Sequence, residues 1–318
     1  MSKLTWATAA MVVATLAFAG TADAETRVTY KSAKSTSSYY QMAVQLAEAI
    51  KQGSGGDIIL TVEESQGSVQ NVKEAAVRTG NYVFTTPPVL VKLAQLGKKM
   101  FEPKNDKFEE IRGLFPIPSL TMHFVVRQDA GVDSFADLEG KTFLIGKGSF
   151  GAREAAKYLK LFGLEGKVKL AEVELNAAVS ALKNRQIDGF ATAGSYPAPN
   201  VLEAAATTEI NLLSLSDEQT AETKRTKLVI PGGTYAGVDA DVNTTTLPVM
   251  AYTTTNMDDA TAYALTKTYW ESKSDMGEAA KWWNGVTPDY LNHMYGKLHP
   301  GALKYYDEKG IQVPDGLR

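Results

Sequence analysis

Short β-branched runs and helical patterns take turns along this chain, and that alternation leaves few architectures open. Residues 27–30 read as strand, 38–51 as helix, 57–62 as strand and 68–79 as helix. In the first helical stretch Met42, Leu46, Ala49 and Ile50 share one face, while Gln41, Gln45, Glu48 and Lys51 point elsewhere. One face therefore packs on a sheet. The order returns further along: residues 142–145 strand, 150–162 helix, 168–173 strand, 177–185 helix, 187–192 strand. A chain so ordered belongs to the α/β class.

The length of 318 residues suits two lobes. Between the two blocks lie Pro116, Pro118 and a β-rich run at 120–127, which reads as a strand crossing between lobes. Residues 224–237, with Pro231-Gly232-Gly233, and a strand at 247–253 carry the chain back. The expected organisation is a signal peptide at 1–24, lobe 1 at 25–122, lobe 2 at 123–251, and a helical return to lobe 1 at 252–318. An internal echo supports one plan for both lobes. Residues 72–88 and 181–197 each run helix, polar turn, short strand, then a small-residue loop ending in proline. In open α/β sheets ligands bind at the carboxyl ends of strands, so both loops should face one cleft.

Cysteine is absent, which excludes disulfide scaffolds, thiolate metal sites and cysteine nucleophiles. The three histidines, His123, His293 and His299, show no metal-ligand spacing, and His299 before Pro300 should cap or pack at a turn. Phosphate-loop, serine-hydrolase and dinucleotide signatures are missing, so no cofactor, metal or catalytic residue is expected. A net charge of -3 offers no general attraction to nucleic acid. Lys3, the apolar run 7–20 and Ala22-Asp23-Ala24 form a secretory signal, with cleavage after Ala24 and the periplasm as destination. That run is shorter than the roughly 20 residues a membrane span needs.

Small polar residues lead from strand into helix at 35–39, 65–68, 85–88 and 146–151. Ser38, Ser68, Thr86 and Ser149 can each serve as N-cap, and Pro87 suits a first helical position. Together these loops offer free backbone N–H groups and positive helix ends to an anion. Three helix ends supply roughly 6 kcal/mol at most, whereas micromolar binding requires about 8. A cation must make up the difference through charge-assisted hydrogen bonds. Candidates are Lys147, Arg127, and Lys31 or Lys34. Tyr39, Tyr40, Tyr196 and Tyr235 lie in the same loop regions and can close over a ligand.

Several motifs resemble those of the TAXI-type solute-binding proteins of TRAP transporters. They are Ser38-Tyr39-Tyr40, the run at 67–71, His123 to Arg127 followed by 137–141, residues 181–189, the run from Ile230 through Pro231-Gly232-Gly233 to Gly237, and residues 298–306 around His299-Pro300-Gly301. The resemblance implies a two-lobed periplasmic-binding-protein fold of type II, with a hinge of two crossing strands and a ligand cleft between the lobes. It implies a monomeric receptor that takes up a small carboxylate, glutamate or 2-oxoglutarate among them, and hands it to an integral-membrane TRAP permease. By position, the ligand loops fall on Ser37, Ser38 and Tyr39; Gln66, Gly67 and Ser68; Thr85 and Thr86; Lys147, Ser149, Phe150 and Gly151; and Thr192, Ala193 and Tyr196. Arg127 and Tyr235 complete the candidate set. Two stretches depart from the family pattern. Residues 31–38 carry side chains where the family has a glycine-rich loop, and 85–88 replace a Gln-Ser-Asp-like run.

Two other readings are open to the same residues. One is an exported sensor module that presents its closed form to a membrane kinase or chemoreceptor. The other is an enzyme on the same fold using Glu63, Glu64 and Asp188, although Glu63 and Glu64 are adjacent on a strand and face opposite ways. The aromatic-rich stretch at 260–306 reads as core and interlobe packing, or as a face for the permease.

Overall fold

A computed structural model describes residues 25–146 and 149–318. The expected signal peptide and Lys147 therefore lie outside the described residues. The first block contains β1 (Thr26–Lys31), α1 (Ser38–Gly53), β2 (Ile58–Glu63), α2 (Ser68–Ala75), β3 (Tyr82–Thr86) and α3 (Pro88–Gln95). The long strand β4 (Ile111–Arg127) follows. The second block contains β5 (Thr142–Leu144), α4 (Phe150–Leu161), β6 (Lys169–Leu170), α5 (Ala178–Lys183) and β7 (Gly189–Gly194). It continues through α6 (Pro199–Thr207), β8 (Ile210–Leu212), α7 (Asp217–Thr223) and β9 (Thr226–Ile230). The second long strand, β10 (Val242–Thr254), leads to α8 (Asp259–Glu271), α9 (Lys273–Ala279), β11 (Lys297–Leu298) and α10 (Pro300–Glu308).

The strand order is β2-β1-β3-β10-β4-β7-β5-β6. It divides into two equivalent halves. In one, β1 lies between its parallel partners β2 and β3, and β3 pairs with the second half of β10. In the other, β5 lies between its parallel partners β6 and β7, and β7 pairs with the second half of β4. The helix–strand echo read at 72–88 and 181–197 is thus α2–β3 and α5–β7. The strands β4 and β10 run antiparallel and join the halves, giving a two-lobed fold with two crossing strands.

The first crossing strand starts at Ile111, nine residues before the sequence reading placed it. Pro116 and Pro118 look like breakers, but proline's fixed φ fits an extended strand and only the ladder N–H is lost. Their carbonyls remain useful: Pro116 O accepts from Tyr269 Oη at 2.7 Å and Pro118 O from Tyr39 Oη at 2.9 Å. The second crossing belongs to β10 alone. Residues 226–230 form β9, which pairs along β10 instead of passing between lobes. The register shifts between Leu247 and Val249, around Pro248, as a bulge does.

Expected caps shift by one residue in most helices. Ser37, not Ser38, caps α1 by accepting from Tyr40 N; Gly67 precedes α2; Pro87 precedes α3 with Pro88 first in the helix. Ser149 caps α4 as expected, accepting from Ala152 N at 2.9 Å, and His299 caps α10 through Gly301 N. The aromatic C-terminal third mostly packs inward. Tyr269, Trp283 and Tyr306 are buried, and the Tyr269 ring stacks on Phe115 with centroids 4.0 Å apart. Each fully buried ring of this size is worth about 1.5 to 3 kcal/mol relative to exposure.

Candidate functional site: a cleft between helix N-termini

The chain leaves β1 toward β2 on one side and returns to β3 on the other, and leaves β5 toward β6 before returning to β7, so a crevice opens at the carboxyl ends between β1 and β3 and between β5 and β7. The helices that follow begin at that crevice. The N-termini of α1, α2 and α4 bring Ser37, Gly67, Ser68, Ser149, Phe150 and Gly151 to a single cleft between the lobes. Tyr39, Gln66, Thr192 and Ala193 complete the wall among the residues expected from sequence. The enclosed space is about 70 Å³, room for only a few heavy atoms. Drug-sized sites start at about 300 Å³. Roomier hollows of about 540 and 670 Å³ lie elsewhere, but neither receives these helix ends.

Local sequence explains the positive character of the cleft. Gly67 has φ +106° and ψ −164°, a backbone region open essentially to glycine, so α2 begins without a side-chain cap. Its first N–H groups thus keep their donor capacity for a ligand. Gly151 lies so near Ala193 that a Cβ there would come within 2.7 Å of the alanine methyl, which keeps α4 close to β7. Lys34 is the cation on this wall among the described residues, and Glu174 reaches toward it from the other lobe, Nζ to Oε2 3.9 Å.

The lobes touch in this conformation. Ser195 N donates to Ser38 Oγ at 2.9 Å, and Ser195 Oγ donates to the Ser119 carbonyl at 2.8 Å. Ser38 is buried, so it serves as an interlobe contact instead of a cleft donor. Burial also raises the Tyr39 phenol well above its ordinary pKa, keeping it a neutral donor to Pro118 O.

Other expected site residues sit apart from the cleft. Arg127 ends β4 at the far side of its lobe, where it bonds Asp129 at 2.8 Å, Asp188 at 3.3 Å and the Ile187 carbonyl at 2.9 Å. It is a structural clamp. Lys31 is buried and paired with Glu63 and Glu74. Tyr235 lies in the second lobe's core. Its hydroxyl accepts from Ala198 N at 2.8 Å and contacts His123 Nε2 at 2.9 Å, while His123 Nδ1 lies 3.2 Å from the Thr121 carbonyl. Burial pulls the His123 pKa down from 6.5 to about 4, so the ring is neutral and the chain runs Tyr235 O–H to Nε2 and Nδ1–H to Thr121 O.

Thr85 and Thr86 are buried behind the cleft; Thr85 Oγ1 donates to Tyr30 Oη at 2.8 Å. Tyr196 lines a separate groove with Trp282 and Tyr290, next to its cis bond to Pro197. The carboxylates weighed for catalysis are dispersed: Glu63 pairs with Lys31, Glu64 accepts from Ser35 N, and Asp188 accepts from Arg127 and Thr142 N.

Asn71 was missed as a positioning residue. Fully buried on α2, its Nδ2 donates to the carbonyls of Ser32 at 2.7 Å and Thr85 at 2.9 Å, tying the loop after β1 and the end of β3 to the helix behind the cleft. An amide on the face that also buries Val69, Val72 and Ala75 was the available signal.

A cleft at the switch points of the two halves of one sheet, with strands passing twice between lobes, defines the periplasmic solute-binding class of fold. The chain belongs to the NMT1-like family, whose profile matches residues 31–310. Among solved structures it is similar to the periplasmic binding protein BugD, with a TM-score of 0.59 at 11% identity over 91% of this chain and 99% of that one. It is similar also to MatC from Rhodopseudomonas palustris with bound malate, with a TM-score of 0.56 at 11% identity over 90% and 96% of the two chains. A protein from Bordetella bronchiseptica RB50 gives 0.51 at 16% identity over 92% and 91%. At these identities the likeness is one of fold. No helix among the described residues is long and apolar enough to cross a membrane.

Proposed function

We propose that this protein is a TAXI-type periplasmic receptor that captures a small carboxylate by hinge closure and delivers it to a TRAP permease. Three helix N-termini drawn from both lobes onto one small cleft, that of α2 without a side-chain cap, carry the reading. Those ends supply up to about 6 kcal/mol, and Lys34 provides the charge-assisted bond that brings the total toward micromolar binding. The ligand set is Ser37, Tyr39, Gln66, Gly67, Ser68, Ser149, Phe150, Gly151, Thr192 and Ala193, with Lys34 added. Glutamate, 2-oxoglutarate and comparable short acids present the carboxylate these helix ends favour, and the lobes must part to admit them, since the apposed cleft encloses only about 70 Å³.

In this reading the mature receptor begins after Ala24, works as a monomer and performs no chemistry on its cargo. Lobe 1 comprises 25–122 and 252–318, and lobe 2 comprises 123–251. Ligand bridging both walls favours the closed form, which bends at β4 and β10. Calorimetric titration with glutamate, 2-oxoglutarate, succinate and malate, paired with small-angle scattering, tests it. One acid should bind with micromolar or better affinity and compact the molecule. Tight binding without compaction, or none of these acids binding, refutes it.

A further inference from the structure

A second feature straddles the lobes outside the cleft. A groove of about 330 Å³ has Lys92 and His293 on one side, Lys224 and Arg225 on the other, and Pro248 of the crossing strand β10 at its base. Among the described residues no carboxylate lines it. Arg225 is satisfied from behind by a bidentate pair with buried Glu154, both bonds 2.9 Å. Lys92 and Lys224 are exposed and make no ion pair among the described residues; Lys92 Nζ lies 5.6 Å from the centre of the Tyr295 ring. Lys224 has φ +55°, a conformation uncommon for a residue with a side chain. Nearby Lys157 has its pKa lowered by burial first and then by Arg225, with Lys99 and Lys224 adding to the effect. Cations from both lobes are thus crowded together in a protein whose net charge is -3.

We propose that this groove docks an acidic, apolar-bearing segment of a partner protein. Charge complementarity sets the sign of the occupant, since the rim carries uncompensated ammonium groups on both lobes. The floor sets the rest: Pro87, Val89, Leu247 and Met294 favour apolar side chains beside the carboxylates, which a bare inorganic anion would not use. Residues of both lobes line the groove, so its occupant spans them. Helix α4 connects the two sites, since its N-terminus at Ser149 faces the cleft and Glu154, about one turn on, holds Arg225. The inference rests on the receptor reading, but its test needs no cargo, so an unsuccessful acid titration would not sink it.

A fluorescein-labelled Glu-Leu-Glu-Glu-Leu-Glu peptide is titrated into the mature protein at low salt, against the Gln-Leu-Gln-Gln-Leu-Gln control and sodium phosphate as competitor. The acidic peptide should bind at least about tenfold tighter than the control, and weaken as salt rises. The double variant Lys92→Glu/Lys224→Glu, at two exposed positions, should lose that preference with an unchanged melting curve. Equal binding of both peptides, retained preference in the double variant, or displacement of the peptide by low-millimolar phosphate at constant ionic strength overturns the proposal.

Discussion

The buried imidazole of His123 makes acid sensitivity a quantitative test of how the crossing strand is held. In the folded protein its pKa is pulled from 6.5 to about 4 by burial. The unfolded chain therefore binds more protons between those two values, and stability falls as pH drops through that window. Stability is complete above about pH 6.5 and has lost about 3 kcal/mol once pH is below 4. Between pH 7.5 and 5 the loss works out at about 2 kcal/mol, over a range in which ordinary carboxylates stay ionised. Urea unfolding at the two pH values measures it directly. His123→Gln keeps a hydrogen-bonding side chain but does not titrate, so most of the loss should vanish in the variant. Burial lowers the His299 pKa too, and its smaller contribution should remain in both proteins. Parallel pH dependence in wild type and variant, or a wild type that gains stability on acidification, would refute the reasoning.

Gly194→Ala places a methyl group against Ser38 Oγ, so the bond from Ser195 N must stretch or break. At about 1 to 3 kcal/mol for a buried unsatisfied donor, cargo affinity should fall at least fivefold while scattering shows a more open molecule. Arg127→Ala should lower stability by about 2 kcal/mol in urea and leave cargo affinity unchanged, because its partners are Asp129, Asp188 and Ile187 O. Lys34→Ala should weaken acid binding roughly tenfold by calorimetry, and Glu174→Gln, which removes the competing carboxylate facing it, should strengthen it. Asn71→Leu fills the same space but releases the Ser32 and Thr85 carbonyls; a stability loss of about 2 kcal/mol in denaturant melts is expected.

Much of the architecture could be read from local pattern. Hydrophobic period placed α1, α2, α4 and their strands, because a face buried on a sheet leaves a 3.6-residue signature whatever its partner. Polar strand-to-helix loops found the cleft for a related reason: helix starts have their own residue preferences, and here those starts converge. What failed were residues whose role depends on a distant partner. Arg127 ends a strand in sequence, but its assignment is settled by Asp188, and Tyr235 by Ala198 and His123. Pro116 and Pro118 hid half of β4, since their acceptors are engaged by tyrosines that no local window contains. Lys34 could not be preferred over Lys31 until Glu63 and Glu74 were seen to occupy the latter.

The chain passes out along β4 and comes home along β10, its immediate antiparallel neighbour. The outer half is therefore a single uninterrupted excursion whose entrance and exit stand side by side. Such an excursion can be lengthened, trimmed or exchanged between relatives as one cassette, with only two adjacent splice points to respect.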